Sequence, residues 1–149
     1  MKIVNLFIIA LIGLSLSTQA EISPLNIDQS QKKTKDKYIK SAHEVIKHQS
    51  SQEEVRFSIL SAALTSKSIK WILEDDGDNF LVLRWDYSEA VIYTKVEFDE
   101  QYIQLKYLDA YDDYRCQNNV DGICYKNETS KYYSHMKDLR SAIINALSH

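Results

Sequence analysis

The chain has 149 residues, a formal net charge of −3 and 44% hydrophobic residues, which suits a single domain with a buried core. This mildly acidic balance argues against a nucleic-acid partner, because such binding rests on the neutralisation of phosphates by Lys and Arg. Only three glycines and one proline occur, so glycine-rich loops that cradle phosphates are excluded.

The first 20 residues have the layout of a secretory signal peptide. Lys2 gives a positive start, residues 3–16 are almost entirely apolar, and Thr18 and Ala20 place small residues before a cleavage site. The apolar run is shorter than the roughly 20 residues that span a bilayer, so we predict a leader cleaved after Ala20 and no transmembrane anchor. No cysteine near the cut could be lipidated. The mature protein is expected to be periplasmic or secreted.

Residues 21–50 are predicted to be a polar tail, since residues 21–35 show no hydrophobic period. Within it, residues 36–48 carry Tyr38, Ala42, Val45 and Ile46 at helical spacing, with lysines opposite. This pattern fits a short amphipathic helix, or a segment that orders only against a partner. The lysines are interpreted as a solvated face, and attraction to an anionic membrane surface is the alternative.

An α+β domain is predicted for residues 51–149. Ser51 and Glu54 form a capping box for a helix that runs to about Ser66. Four strands then follow so closely that neighbours must be antiparallel, and a final helix covers residues 130–147. The predicted order α-β-β-β-β-α is a two-layer fold, in which a four-stranded meander buries its one apolar face under both helices.

Each predicted strand alternates between an apolar and a polar face. The apolar face is expected to hold Ile69, Trp71, Leu73, Leu81, Leu83, Trp85, Ile92, Thr94, Val96, Phe98, Ile103, Leu105 and Tyr107. The polar face is expected to hold Arg84, Tyr93, Lys95 and Glu97. In the final helix, Tyr132, Met136, Leu139, Ile143 and Leu147 should face the sheet, with Lys137 and Arg140 outward.

These positions resemble a pattern found in a group of small exported Gram-negative bacterial proteins, many of them lipoproteins, that lack an assigned activity. The shared series is Trp71 opening the first strand, then L-x-L-x-W, T-x-V-x-F-D, I-x-L-x-Y and Y-x-x-M-x-x-L-x-x-x-I, over residues 55–147. The resemblance implies a fold and no chemistry. This chain departs from the group in having no lipidation cysteine, in carrying Lys70 before the tryptophan, and in inserting a loop with two cysteines.

Cys116 and Cys124 are the two cysteines of the sequence. In an exported protein an even number of cysteines predicts a disulfide, whereas metal sites need closer spacing and more ligands. We therefore predict one structural disulfide, in a loop outside the helices and strands, and neither a metal nor a cofactor.

No catalytic residue is predicted. The four histidines, His43, His48, His135 and His149, lack metal-ligand spacing, and no nucleophile-elbow motif is present. Each is expected to be a surface residue, and the chain is expected not to be an enzyme.

The remaining candidate is a cluster of tyrosines around the predicted disulfide: Tyr107, Tyr111, Tyr114, Arg115 and Tyr125. Rigid aromatic side chains provide contact area at low entropic cost, so these five are predicted to bind another macromolecule, for example an envelope component. The alternatives are that these tyrosines cover the open end of the sheet, or that binding uses the polar face at Tyr93, Lys95 and Glu97. A second functional class is a protein inhibitor, such as an immunity protein against a periplasmic toxin or an inhibitor of a host hydrolase.

Overall fold

The computed structural model describes residues 22–67 and 70–149. The predicted leader and Ile69 lie outside these residues. Within them the order is α1 (Asp36–His43), β1 (Ile46–Lys47), α2 (Gln52–Thr65), β2 (Ile72–Gly77), β3 (Phe80–Tyr87), β4 (Ala90–Phe98), β5 (Tyr102–Ala110), a 3₁₀ turn (Asp112–Tyr114), β6 (Asn118–Val120), β7 (Ile123–Lys126) and α3 (Lys131–Leu147). The predicted α+β class is confirmed.

The main sheet of the described chain has five antiparallel strands in the order β1-β5-β4-β3-β2. The meander from β2 to β5 follows the prediction, but the predicted count of four strands is wrong. β1 adds the fifth strand, pairing Ile46 with Ile103 and Lys47 with Tyr102. A strand of two residues shows no alternation that a sequence pattern could reveal.

One face of the sheet is buried beneath the helices. β3, β4 and β5 supply the predicted apolar positions, and each of these side chains is buried: Leu81, Leu83, Trp85, Ile92, Thr94, Val96, Phe98, Ile103, Leu105 and Tyr107. In β5 the alternation of buried and exposed side chains shifts by one residue at Leu108, where the register with β4 also shifts. Ala110 is therefore buried although it lies three residues after Tyr107. Alternation therefore places these core residues correctly, although Val82 and Gln104 on the other face are buried as well.

The first predicted strand differs from expectation. Trp71 is buried, but it precedes β2, and its N–H donates to the Ala63 carbonyl at the end of α2. Ile72 and Leu73 are both exposed, because β2 is the outermost strand and its register with β3 shifts between Leu73 and Asp75. The predicted shared face of Trp71 and Leu73 is therefore wrong.

Helices α2 and α3 follow the sequence closely. Ser51 and Glu54 form the predicted capping box, and Val55, Ile59, Ala62 and Ala63 are buried. In α3, Tyr132, Met136, Leu139 and Ile143 are buried as predicted, while Leu147 is partly buried.

Arg140 does not point away from the protein as expected. Its Nε donates to the Glu44 carbonyl at 2.8 Å, and a terminal nitrogen donates to the Val45 carbonyl at 3.2 Å. Arg140 therefore ties α3 to the link between α1 and β1, where the last carbonyls after a helix need donors.

The segment that composition predicts to be a tail is packed against the domain. Ile22 and Ile27 are buried, Asp28 N–H donates to the Tyr125 hydroxyl, and Thr34 N–H donates to the Tyr125 carbonyl. Helix α1 begins at Asp36 as predicted but ends at His43, and the chain is already extended at Glu44. Its buried residues are Ile39, Ala42 and His43, while Tyr38 of the predicted stripe is partly buried and stacks on Tyr133.

Candidate functional site

The five predicted binding residues divide into a buried pair and an exposed group. Tyr107 and Tyr125 are buried. The Tyr107 hydroxyl accepts from Cys116 N–H at 3.3 Å, and the Tyr125 hydroxyl accepts from Asp28 N–H at 3.0 Å. These two tyrosines hold the disulfide region and the N-terminal segment in place and offer little surface to a partner.

Tyr111, Tyr114 and Arg115 are brought together on the short segment between β5 and β6. Tyr111 is 47% exposed and Arg115 is exposed, whereas Tyr114 is half-buried. The Tyr114 ring packs edge-on against Trp85, with centroids 5.2 Å apart, and against His135 at 5.3 Å. Tyr111 N–H donates to Val91 O at 2.9 Å, which ties the start of this segment to β4. We call Tyr111, Tyr114 and Arg115 the Tyr111 surface.

Asn127 fixes the backbone of this surface, and the sequence analysis missed it. Its side chain is buried, and Nδ2 donates to the Asp113 carbonyl at 2.8 Å and to the Arg115 carbonyl at 3.0 Å. The Thr129 hydroxyl donates to the same Asp113 carbonyl at 2.9 Å. A buried amide that satisfies two carbonyls restrains the segment between them, so Arg115 stands on an ordered backbone, while the Tyr111 backbone is held by its N–H bond to Val91 O.

The disulfide joins Cys116 to Cys124 as predicted, but the segment between the two cysteines is not an irregular loop. It encloses the β6–β7 hairpin, in which Asp121 and Gly122 both have positive φ. Asp-Gly is a strong signal for a two-residue hairpin turn that requires this conformation, and it was available in the sequence. Ile123, Cys124 and Tyr125 are buried, so the hairpin belongs to the core. The prediction of a loop outside the strands is wrong.

His43 is fully buried, which corrects the prediction that it is a surface residue. Its Nδ1 lies 2.7 Å from the Leu105 carbonyl, and its Nε2 accepts from Cys124 N–H at 3.1 Å. Because the carbonyl can only accept and the amide can only donate, the ring is neutral with its proton on Nδ1. Burial lowers the His43 pKa from 6.5 to about 4, against the opposing effect of the hydrogen bond to Leu105. Both nitrogens are thus committed to the fold.

His48 and His135 also have structural contacts, whereas His149 is exposed. His48 Nε2 is 3.0 Å from the Asp99 carbonyl. His135 stacks on Trp85 with centroids 4.2 Å apart, and its partial burial lowers its pKa despite the nearby Asp138. Within residues 22–67 and 70–149, no group of three His, Cys, Asp or Glu side chains could hold a metal ion.

The polar face of the sheet, the alternative binding surface, carries a groove. Its volume is about 680 Å³, and it lies between residues 23–26 and the turn of the β6–β7 hairpin. Glu97 sits in its floor with Lys106 Nζ at 2.7 Å and Lys95 Nζ at 3.0 Å. Burial raises the Glu97 pKa, but the two ammonium groups outweigh it and the net pKa is lowered. The charges of Glu97, Lys95 and Lys106 therefore largely neutralise each other. Tyr93 is half-buried on the same face of the sheet.

No family model, curated protein or solved structure matches the chain. The resemblance to small exported proteins thus remains a prediction from the motif series alone. Over the described ranges 22–67 and 70–149, no helix combines the length and apolar character needed to cross a membrane.

Proposed function

We propose that this chain is an exported, non-enzymatic protein that binds another macromolecule through the Tyr111 surface. The observation that carries the proposal is the pairing of exposed Tyr111 and Arg115 with a backbone that buried Asn127 holds at both Asp113 and Arg115. A surface that is ordered before binding loses less conformational entropy when it meets its partner. Tyr and Arg are also the residue types that most often contribute strongly to binding energy.

The charges around this surface favour a polar macromolecular partner. Asp112 and Asp113 lie within the Tyr111–Arg115 segment, and Lys131 Nζ lies 2.6 Å from Asp113. Aromatic contact area bordered by both signs of charge is typical of protein–protein interfaces with a polar rim. Export is supported by the predicted leader and is compatible with the Cys116–Cys124 disulfide, since disulfides persist in oxidising compartments.

The non-enzymatic part of the proposal rests on the use of the histidines. His43 has both ring nitrogens bonded to backbone groups, and the rings of Trp85 and Tyr114 pack against His135. A general base needs a free nitrogen within reach of a substrate proton. His43 offers none while the fold is intact.

The test is affinity capture from an envelope extract with the purified protein, followed by titration of the captured partner. Tyr111→Ala and Arg115→Ala are each expected to weaken binding by about 1–2 kcal/mol with little change in melting temperature. Leu73→Ala is the matched control, because Leu73 is 45% exposed on the opposite edge strand. If neither loop variant loses affinity, the proposal fails and the site moves to Tyr93, Lys95 and Glu97. A tight stoichiometric complex with a hydrolase would instead identify the inhibitor alternative.

A second variant tests the role of the ordered backbone. Asn127→Asp keeps the side-chain shape but removes the N–H groups that reach Asp113 and Arg115. Because Asn127 is buried, a loss of affinity in this variant must come from the loosened segment rather than from a lost contact. Thr129→Val, which removes one donor to the Asp113 carbonyl, is expected to have a smaller effect of the same sign.

A further inference from the structure

Helix α2 is apolar on its solvent side as well as on its core side. Val55, Ile59 and Ala62 are fully buried against the sheet and α3. On the opposite side, Phe57 is 73% exposed and Leu64 is 63% exposed. A surface helix of a protein that acts alone is expected to be polar on this side, so the outer apolar residues need another explanation.

The outer residues follow a regular spacing. Glu53, Phe57, Leu60 and Leu64 lie at intervals of four, three and four, which places them in one strip along the helix, and Lys67 follows two residues beyond the helix end at Thr65. The strip has an apolar centre, with Leu60 partly buried between the two more exposed residues. Its ends are charged, since Glu53 is exposed in the first turn and Lys67 is exposed just after the helix ends at Thr65.

We propose that this strip binds the same strip of a second copy of the chain, with the two α2 helices antiparallel around a two-fold axis near Leu60. In that arrangement Phe57 meets Leu64 of the second copy, Leu60 meets its own equivalent, and Glu53 meets Lys67 of the second copy. The pairing is self-complementary, as a two-fold interface requires. A parallel arrangement would set Glu53 against Glu53, which like-charge repulsion disfavours.

The neighbouring surface leaves room for a second helix. A groove of about 670 Å³ runs between α2 and the end of α3, with Phe57 and Leu147 on its walls. Ser58, Ser61 and Ala146 line it, and these small side chains let another chain approach closely.

The proposal can be tested by sedimentation equilibrium of the purified protein, in the form in which the cell produces it. Over about 5 μM to about 500 μM, a range that brackets weak protein association, the average mass should rise from one chain toward two. Phe57→Asp should weaken association about tenfold or more, because it buries a charge at the centre of the strip. Leu108→Asp is the matched control: Leu108 is 49% exposed on the far face of the sheet, and its replacement should leave the curve unchanged.

A charge exchange tests the antiparallel arrangement. Glu53→Lys and Lys67→Glu should each weaken association, and the double variant should restore it, because the exchanged charges meet again only in an antiparallel pair. A single chain at every concentration would overturn the proposal. So would association that survives Phe57→Asp, or a double variant that does not recover. Association that Leu73→Asp abolishes and Phe57→Asp does not would place the interface at the β2 edge and equally overturn it.

Discussion

The two edges of the five-stranded sheet are protected in different ways. The β5 edge is covered: β1 pairs with Tyr102 and Ile103, His43 donates to the Leu105 carbonyl, and Tyr107 N–H donates to Gly122 O of the hairpin turn. The β2 edge has no further strand beside it among the described residues, and Ile72 to Asp76 are all exposed there. Open edges invite pairing with other chains, and acidic side chains and an irregular register oppose it.

This difference explains why His43 and the two cysteines have structural roles. His43 and the disulfide lie on the covered edge, where a ring with one donor and one acceptor joins β5 to the hairpin. Their function there is to satisfy backbone groups in the core. Phe57 and Leu64 on α2 and Ile72 and Leu73 on β2 are exposed apolar side chains away from this edge, whereas Leu108 is exposed on β5 itself. Association is therefore expected from the uncovered side and from the Tyr111 surface.

Removing His43 should break the covered edge and give the largest effect. His43→Ala leaves the Leu105 carbonyl and Cys124 N–H without their partner in the core and opens a cavity beside Tyr132. We expect a loss of about 3–5 kcal/mol in the free energy of unfolding, measured by urea denaturation. His48→Ala, at a half-exposed histidine, is the control and should cost about 1 kcal/mol. A loss at His43 no greater than that of the control would contradict this account.

Acid should weaken the same edge without any substitution. The His43 pKa is about 4 in the folded protein and about 6.5 in the unfolded chain, so between these values only the unfolded chain binds the proton. Stability is therefore fully present above pH 6.5 and falls by roughly 3 kcal/mol as the pH drops to about 4. His43→Gln keeps one donor and one acceptor but cannot titrate, so its stability should change less between pH 6.5 and 5. An equal slope in both proteins would assign the effect to other groups, such as His135.

Opening the disulfide should weaken the hairpin without removing it. Cys116→Ala with Cys124→Ala is expected to cost about 2–3 kcal/mol, because a ring of this size restrains the unfolded chain by about that much. The fold should persist, since Cys124 N–H still donates to His43 and Gly122 O still accepts from Tyr107. Alanine is chosen over serine because Cys124 is fully buried. A thiol assay on the denatured, unreduced wild-type protein should detect no free thiol. Complete unfolding of the double variant would contradict the prediction.

The same comparison shows which parts of the fold the sequence could predict. The alternate residues of β3, β4 and β5 that face the helices are buried from Leu81 to Tyr107, so their period of two is visible in the sequence and this part of the core follows from it. β1 owes its pairing to β5, and no local pattern of two residues encodes that contact. At β2 the pattern misleads, because the strand lies at an edge where neither face is covered.

The site was harder to predict for a related reason. A histidine can be buried only where both ring nitrogens find hydrogen-bond partners. The partners of His43 are the Leu105 carbonyl and Cys124 N–H, which are distant in sequence, so the sequence alone did not predict that His43 is buried. Asn127 gives no sequence signal for the same reason, since its targets are backbone carbonyls. The Asp121–Gly122 turn, by contrast, was readable and would have predicted the hairpin.

The smallest effect on stability should come from the open edge. Asp75→Val replaces an exposed acid on β2 and should change the free energy of unfolding by no more than about 0.5 kcal/mol. It should nevertheless speed aggregation, measured by light scattering, because Ile72, Leu73 and the new valine would give the edge an apolar character that favours strand pairing. Glu89→Val makes the same change in charge at the β3–β4 turn, away from that edge. If both variants aggregate equally, net charge protects the protein; if only Asp75→Val does, the acidic β2 edge protects it.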